Sequence, residues 1–150
     1  MQFPEAFLNE HIQKLTGCSI IYFKDSTHDE GVNPHYHFVI APSDPSDFVI
    51  CLITSKVEKR ETYYGRVNKK AAECLVKVDS SILPFLTKPS IIDCNQAELI
   101  RRADLTKHVD HDYDFKIEVR DADIPEVLKT QVRAAIKNSP LISNYIKKLI

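Results

Sequence analysis

Phe7, Leu8, His11, Ile12 and Leu15 recur at helical spacing after Pro4, and Gly17 follows where a helix would stop. The pattern predicts a short amphipathic helix lying over one face or edge of a sheet. Ser19-Ile20-Ile21-Tyr22-Phe23 then predicts a strand, and the polar stretch from Lys24 to Pro34 a loop. Two β-branched and aromatic runs come next, Tyr36 to Ala41 and Phe48 to Thr54, separated by Pro42-Ser43-Asp44-Pro45-Ser46-Asp47. They are expected as adjacent antiparallel strands.

Two further short strands are predicted at Cys74 to Val78 and at Ser90 to Cys94, with Pro84 excluding an interior strand in the segment between them. Asn95-Gln96-Ala97-Glu98 has the spacing of a capping box, and Leu99, Ile100 and Ala103 follow at helical intervals, so a short helix is expected there. Lys107 to Asp114 is charged and loop-like, and Phe115 to Val119 adds a last strand. Asp123-Ile124-Pro125-Glu126 forms a second box ahead of Val127, Leu128, Val132, Ala135 and Ile136 on one helical face. Ser139-Pro140 restarts the pattern as N-cap and first helical residue, with Ile142, Tyr145, Ile146 and Leu149 following.

Composition narrows the class. A chain of 150 residues fits one domain and can bury enough apolar surface to fold without metals or disulfides. No apolar run approaches the length needed to cross a bilayer, so a water-soluble protein is expected. Met1 to Glu5 lacks the basic start of a secretory signal, which gives the expectation of a cytoplasmic protein. The four cysteines, Cys18, Cys51, Cys74 and Cys94, form no C-x-x-C pair and read as small buried hydrophobes. The formal charge of −1 provides no overall field for nucleic acid, so any such binding needs a local basic patch.

The order of three segments goes further: His37-Phe38-Val39-Ile40-Ala41, then Val49 to Thr54-Ser55, then Lys88-Pro89-Ser90-Ile91-Ile92-Asp93-Cys94-Asn95-Gln96 leading into Ile100 and Leu105. This resembles the PemK/MazF-like toxin superfamily over residues 19 to 105. The resemblance implies a small SH3-like barrel and an endoribonuclease that cleaves single-stranded RNA without a metal, as a dimer restrained by an antitoxin. It also puts Thr54 and Ser55 where the family positions its catalytic hydroxyl. Typical members carry an arginine just before the first apolar strand, where this chain has Pro34-His35-Tyr36-His37.

Metal-free RNA cleavage needs a base for the 2′-hydroxyl proton, an acid for the leaving oxygen and a donor for the charged phosphorane. His35 and His37 supply candidates for the first two, since residues i and i+2 of a strand share a face. The alternative is that one histidine packs into the barrel rim while the other faces solvent. Lys56, Lys59, Arg60 and Arg66, interleaved with Tyr63 and Tyr64, make the best local RNA patch, and Lys88 adds to it. Glu58 and Glu61 dilute the patch, and a solvated mixed-charge loop is its plain alternative.

His108 to Asp114 matches no metal template, and no phosphate-cradling or nucleophile-elbow motif is present. No cofactor is expected. The expected architecture is thus mainly β with flanking helices (α+β): an SH3-like PemK/MazF-type barrel at 19–105, an N-terminal helix and a C-terminal helical pair at 123–149, all in one domain of residues 1–150. Two functions fit it, a toxin-type endoribonuclease and a non-catalytic protein- or nucleic-acid-binding module.

Overall fold

The computed structural model describes residues 5–27, 33–44 and 46–150. The absent leader read from Met1 to Glu5 and the role of Pro4 rest wholly or mainly on residues outside this range. So do residues 28–32 of the expected loop and Pro45 of the next connection. The chain is mixed α+β and falls into two compact units, residues 1–50 with 98–124 and residues 51–97 with 125–150. The stretch 19–105 is divided between them. No helix of the described residues is long and apolar enough to cross a membrane.

The first unit starts with α1 (Glu5–Gln13), which buries Leu8 and Ile12 while Phe7 stays exposed. The chain then turns into β1 (Gly17–Phe23) through Gly17, the only described residue with positive φ, at +62°. A side chain here would be strained by the backbone and would collide with the Asp121 carboxylate, which accepts the Cys18 N–H at 2.7 Å. β1 pairs antiparallel with β2 (His35–Ala41) from Gly17↔Ala41 to Phe23↔His35, and on its other side with β7 (Lys116–Val119). β3 (Asp47–Thr54) is the neighbour of β2, and the connection between them is too short for a parallel crossover. The paired strands expected over 36–54 are therefore present.

The helix expected after Asn95 is a strand. Glu98–Arg101 forms β6, paired antiparallel with residues 47–50 of β3 from Asp47↔Arg101 to Ile50↔Glu98. The capping box cannot form because the Asn95 side chain is already engaged. Its Nδ2 donates to the Ala71 carbonyl at 2.7 Å, and its Oδ1 accepts the Ser139 hydroxyl at 2.7 Å. A 3-10 turn at Arg102–Asp104 follows, then α4 (Leu105–His108), whose last two residues fall in the segment expected to be loop. Arg102 Nη1 donates to the Gln13 and Leu15 carbonyls at 3.0 Å each, satisfying acceptors that α1 leaves open, while its guanidinium lies 4.4 Å above the Phe48 ring. Ile12, Phe23, Val39, Phe48, Ile100 and Leu105 are central to this unit's core.

The second unit contains the end of β3, then α2 (Val57–Val67), α3 (Lys69–Ala72), β4 (Leu75–Val78) and β5 (Ser90–Asp93). β5 pairs antiparallel with β3 through Ile53↔Ile92 and with β4 from Leu75↔Asp93 to Val78↔Ser90. Among the described residues β4 has β5 as its only strand partner and β7 has β1, so both ladders end on an edge.

The C-terminal helices form with shifted boundaries. α5 (Glu126–Asn138) has Pro125 as N-cap without a side-chain bond, because Asp121–Asp123 forms a 3-10 turn and Ile124 is extended and buried. Leu128, Val132 and Ile136 face inward as expected, whereas Val127 is 69% exposed. Ser139 ends α5 instead of starting the next helix. Ser143 caps α6 (Asn144–Leu149), its hydroxyl accepting the Ile146 N–H at 3.4 Å.

Candidate nucleic-acid interface

Residues 56–66, whose plain alternative is a solvated loop, are mostly helical. Among the expected RNA contacts, α2 separates those that anchor the helix from those that face water. Tyr64 is fully buried and its hydroxyl donates to Asp93 Oδ2 at 2.9 Å. Arg60 Nη1 donates to the same oxygen at 2.9 Å. Asp93 is itself completely buried at the end of β5, and its Oδ1 accepts the Asn95 N–H at 3.1 Å. Burial, followed by the Asp93 carboxylate, raises the Tyr64 hydroxyl pKa well above 10, so the phenol stays a donor. Arg60 and Tyr64 thus hold α2 in place.

Lys59, Tyr63 and Arg66 follow one another at i, i+4 and i+7 on the adjacent, exposed face. All three are exposed, Tyr63 by 55%, and with Glu58, Thr62 and Val67 they line a shallow groove of about 700 Å³. Among the described residues no carboxylate pairs with Lys59 or Arg66. The Tyr63 ring meets Tyr64 edge-on, with centroids 5.1 Å apart, so a buried anchor steadies the exposed ring from behind. Glu61, one of the two diluting acids, lies 3.9 Å from Lys77. Lys56 precedes α2 and is exposed. Lys88, also exposed, leads into β5, where its carbonyl accepts the Ser90 hydroxyl at 3.0 Å.

Thr54 and Ser55 lie at the end of β3 in this unit. Thr54 is buried, and its hydroxyl oxygen accepts the Lys56 N–H at 3.2 Å, while Ser55 is exposed. This is the local bonding by which a threonine opens a turn into a helix.

His35 and His37 lie in the first unit on β2, two residues apart and therefore on one face. Their environments differ. His35 is half-buried; His37 is only 5% exposed and stacks on Phe23 with centroids 4.1 Å apart. Burial, reinforced by nearby His35, pushes the His37 pKa down to about 4 despite the opposing pull of Asp25. At neutral pH it is an uncharged core ring, and burial opposes the imidazolium that a general acid or base must pass through.

In the His108 to Asp114 segment, Lys24 Nζ lies 3.4 Å from Asp110 and 4.5 Å from the centre of the Tyr113 ring, and His108 Nδ1 is 3.7 Å from Asp25. Sequence reasoning missed Asp93 as the residue that organises α2, and Asn95 as the residue that ties the end of α3 to Ser139. The available signal was an acid closing the otherwise apolar strand Ser90-Ile91-Ile92-Asp93, an acid that burial obliges to find donors. Comparison with protein-family models gives no match, and comparison with curated proteins gives none either.

Proposed function

We propose that this chain is a non-catalytic nucleic-acid-binding module that takes single-stranded RNA across the outer face of α2. The observation that carries this reading is the row Lys59, Tyr63, Arg66, in which an exposed aromatic ring sits between two cations over a shallow groove. A base stacks on such a ring without regard to its identity, while the cations meet the flanking phosphates. Lys56 and Lys88 extend the positive surface of the same unit. The strand order from His37 to Gln96 supports a scaffold derived from the PemK/MazF-like barrel. Cleavage is the weaker reading, because His37 is neutral and buried and the Thr54 hydroxyl already serves the turn into α2.

The test is fluorescence anisotropy with a labelled oligouridine of about twelve nucleotides, within the range such surfaces span. Binding is expected to weaken with salt. Tyr63→Ala should lower affinity about 5- to 100-fold, the equivalent of losing one stacked base. Lys59→Ala and Arg66→Ala should each reduce the slope of log K against log salt by about one contact. Absence of binding at low salt, or unchanged affinity in all three variants, overturns the proposal. RNA cut in the presence of a chelator, leaving a cyclic phosphate, would replace it with the endoribonuclease.

A further inference from the structure

Two acids interrupt the basic run of α2, and their surroundings differ. Glu61 lies 3.9 Å from Lys77 and so has a cation of its own. Glu58 is exposed and lines the groove that carries Lys59, Tyr63 and Arg66, and among the described residues no cation pairs with it. In the first turn it favours the helix dipole, a role that any exposed face of that turn would serve. On this face it also repels every phosphate that enters the groove. Such an acid costs affinity unless it recognises something other than phosphate.

The winding of the helix sets Glu58 and Thr62 on one wall of the groove and Tyr63 and Val67 on the other, with Lys59 and Arg66 between them. Glu58 and Tyr63 are about 9 Å apart at Cα on such a helix. A base lying on the Tyr63 ring and an extended glutamate side chain close that span together. The carboxylate then meets the edge of the base, while Lys59 and Arg66 keep the phosphates.

The four bases differ in what they offer a carboxylate, which only accepts hydrogen bonds. Guanine presents two adjacent donors on one edge, N1–H and the N2 amine, and these match both carboxylate oxygens. Cytosine and adenine present one amine beside a ring nitrogen that itself accepts, and uracil one N–H between two carbonyls. In each of these three the second carboxylate oxygen meets a lone pair. We propose that Glu58 makes the α2 groove selective for guanine, its carboxylate accepting N1–H and N2–H from a base stacked on Tyr63. This selectivity rests on the RNA reading above: stacking and phosphate contacts hold any single strand, and the Glu58 contact is made by guanine alone.

Anisotropy is measured on the full-length protein with labelled oligouridines of about twelve nucleotides that carry one central guanosine, adenosine or inosine, the last being guanosine without its N2 amine. The guanosine strand should bind about 5- to 10-fold tighter than the adenosine strand, which also stacks as a purine but offers a single amine. That is the low end of what a bidentate base contact is worth, because the shallow groove stays wet. Inosine should fall back toward adenosine. Glu58→Ala should erase the guanosine preference while the adenosine strand binds at least as tightly as before, since a repelling charge is gone. A Glu58 that only steadies the helix would instead lower the unfolding midpoint and leave the preference intact. Equal affinity for the guanosine and adenosine strands, or a preference that survives Glu58→Ala, overturns the selectivity, and Tyr63-dependent binding of both strands would then leave the RNA reading standing. No binding of any strand at low salt overturns both.

Discussion

Tyr64→Phe deletes one hydroxyl from the buried cluster that holds α2. The ring keeps its packing in the small core of Ala71, Leu75 and Ile91, so the change isolates the 2.9 Å bond to Asp93. A hydrogen bond to a charged acceptor contributes about 1.5–3 kcal/mol, against about 1 for a neutral one. Asp93 retains Arg60 and the Asn95 N–H as donors, so no charge is stranded and the cost should stay near 2 kcal/mol. With a urea m-value of about 1–2 kcal/mol/M, the midpoint of the affected transition should fall by roughly 1 M. Asp93→Ala should cost more, about 3 kcal/mol, because it strands Tyr64 and Arg60 together; Arg60, a quarter exposed, recovers part of its hydration. The chain has no tryptophan, so unfolding is followed by far-ultraviolet circular dichroism and tyrosine fluorescence. In the Tyr64→Phe/Asp93→Ala double variant the two losses should be clearly less than additive. A Tyr64→Phe midpoint indistinguishable from wild type, or full additivity, would refute the assignment of Asp93 as the anchor of α2.

His37 should make stability pH-dependent. Its folded pKa of about 4 lies below the ordinary 6.5, so the unfolded chain takes up a proton that the folded chain refuses as pH falls through that window. Stability is fully present above 6.5 and declines by about 3 kcal/mol by pH 4; His37→Phe, which keeps the stack on Phe23, should remove this component from the difference curve. Gly17→Ala should cost at least about 1–2 kcal/mol in thermal unfolding, since positive φ and the Asp121 carboxylate both oppose a Cβ. Val127→Lys should change stability by less than about 0.5 kcal/mol, whereas Val132→Lys on the inner face of α5 should unfold its unit; equal effects would mean that the helix faces are misassigned.

The amino-acid sequence by itself determined where the β-rich segments lie, because runs such as Tyr36 to Ala41 and Phe48 to Thr54 are apolar enough to form strands in almost any packing. It also determined that a helix follows Pro125 and that the cysteines are buried, since both depend on local spacing or on residue type. Tertiary structure decided what local signals left ambiguous. Asn95 has the spacing of a cap, but the long-range bonds to Ala71 and Ser139 occupy its side chain, and the following residues pair with β3. Ser139 donates its hydroxyl to Asn95 while its oxygen accepts the Leu141 N–H in a turn, and the next helix starts only at its cap, Ser143. In the candidate site the sequence supplied the basic and aromatic residues, while the buried Asp93 selected Arg60 and Tyr64 for the inside and left Lys59, Tyr63 and Arg66 facing water. A side chain makes only a few strong bonds, and a partner distant in the chain can take them before a neighbour does.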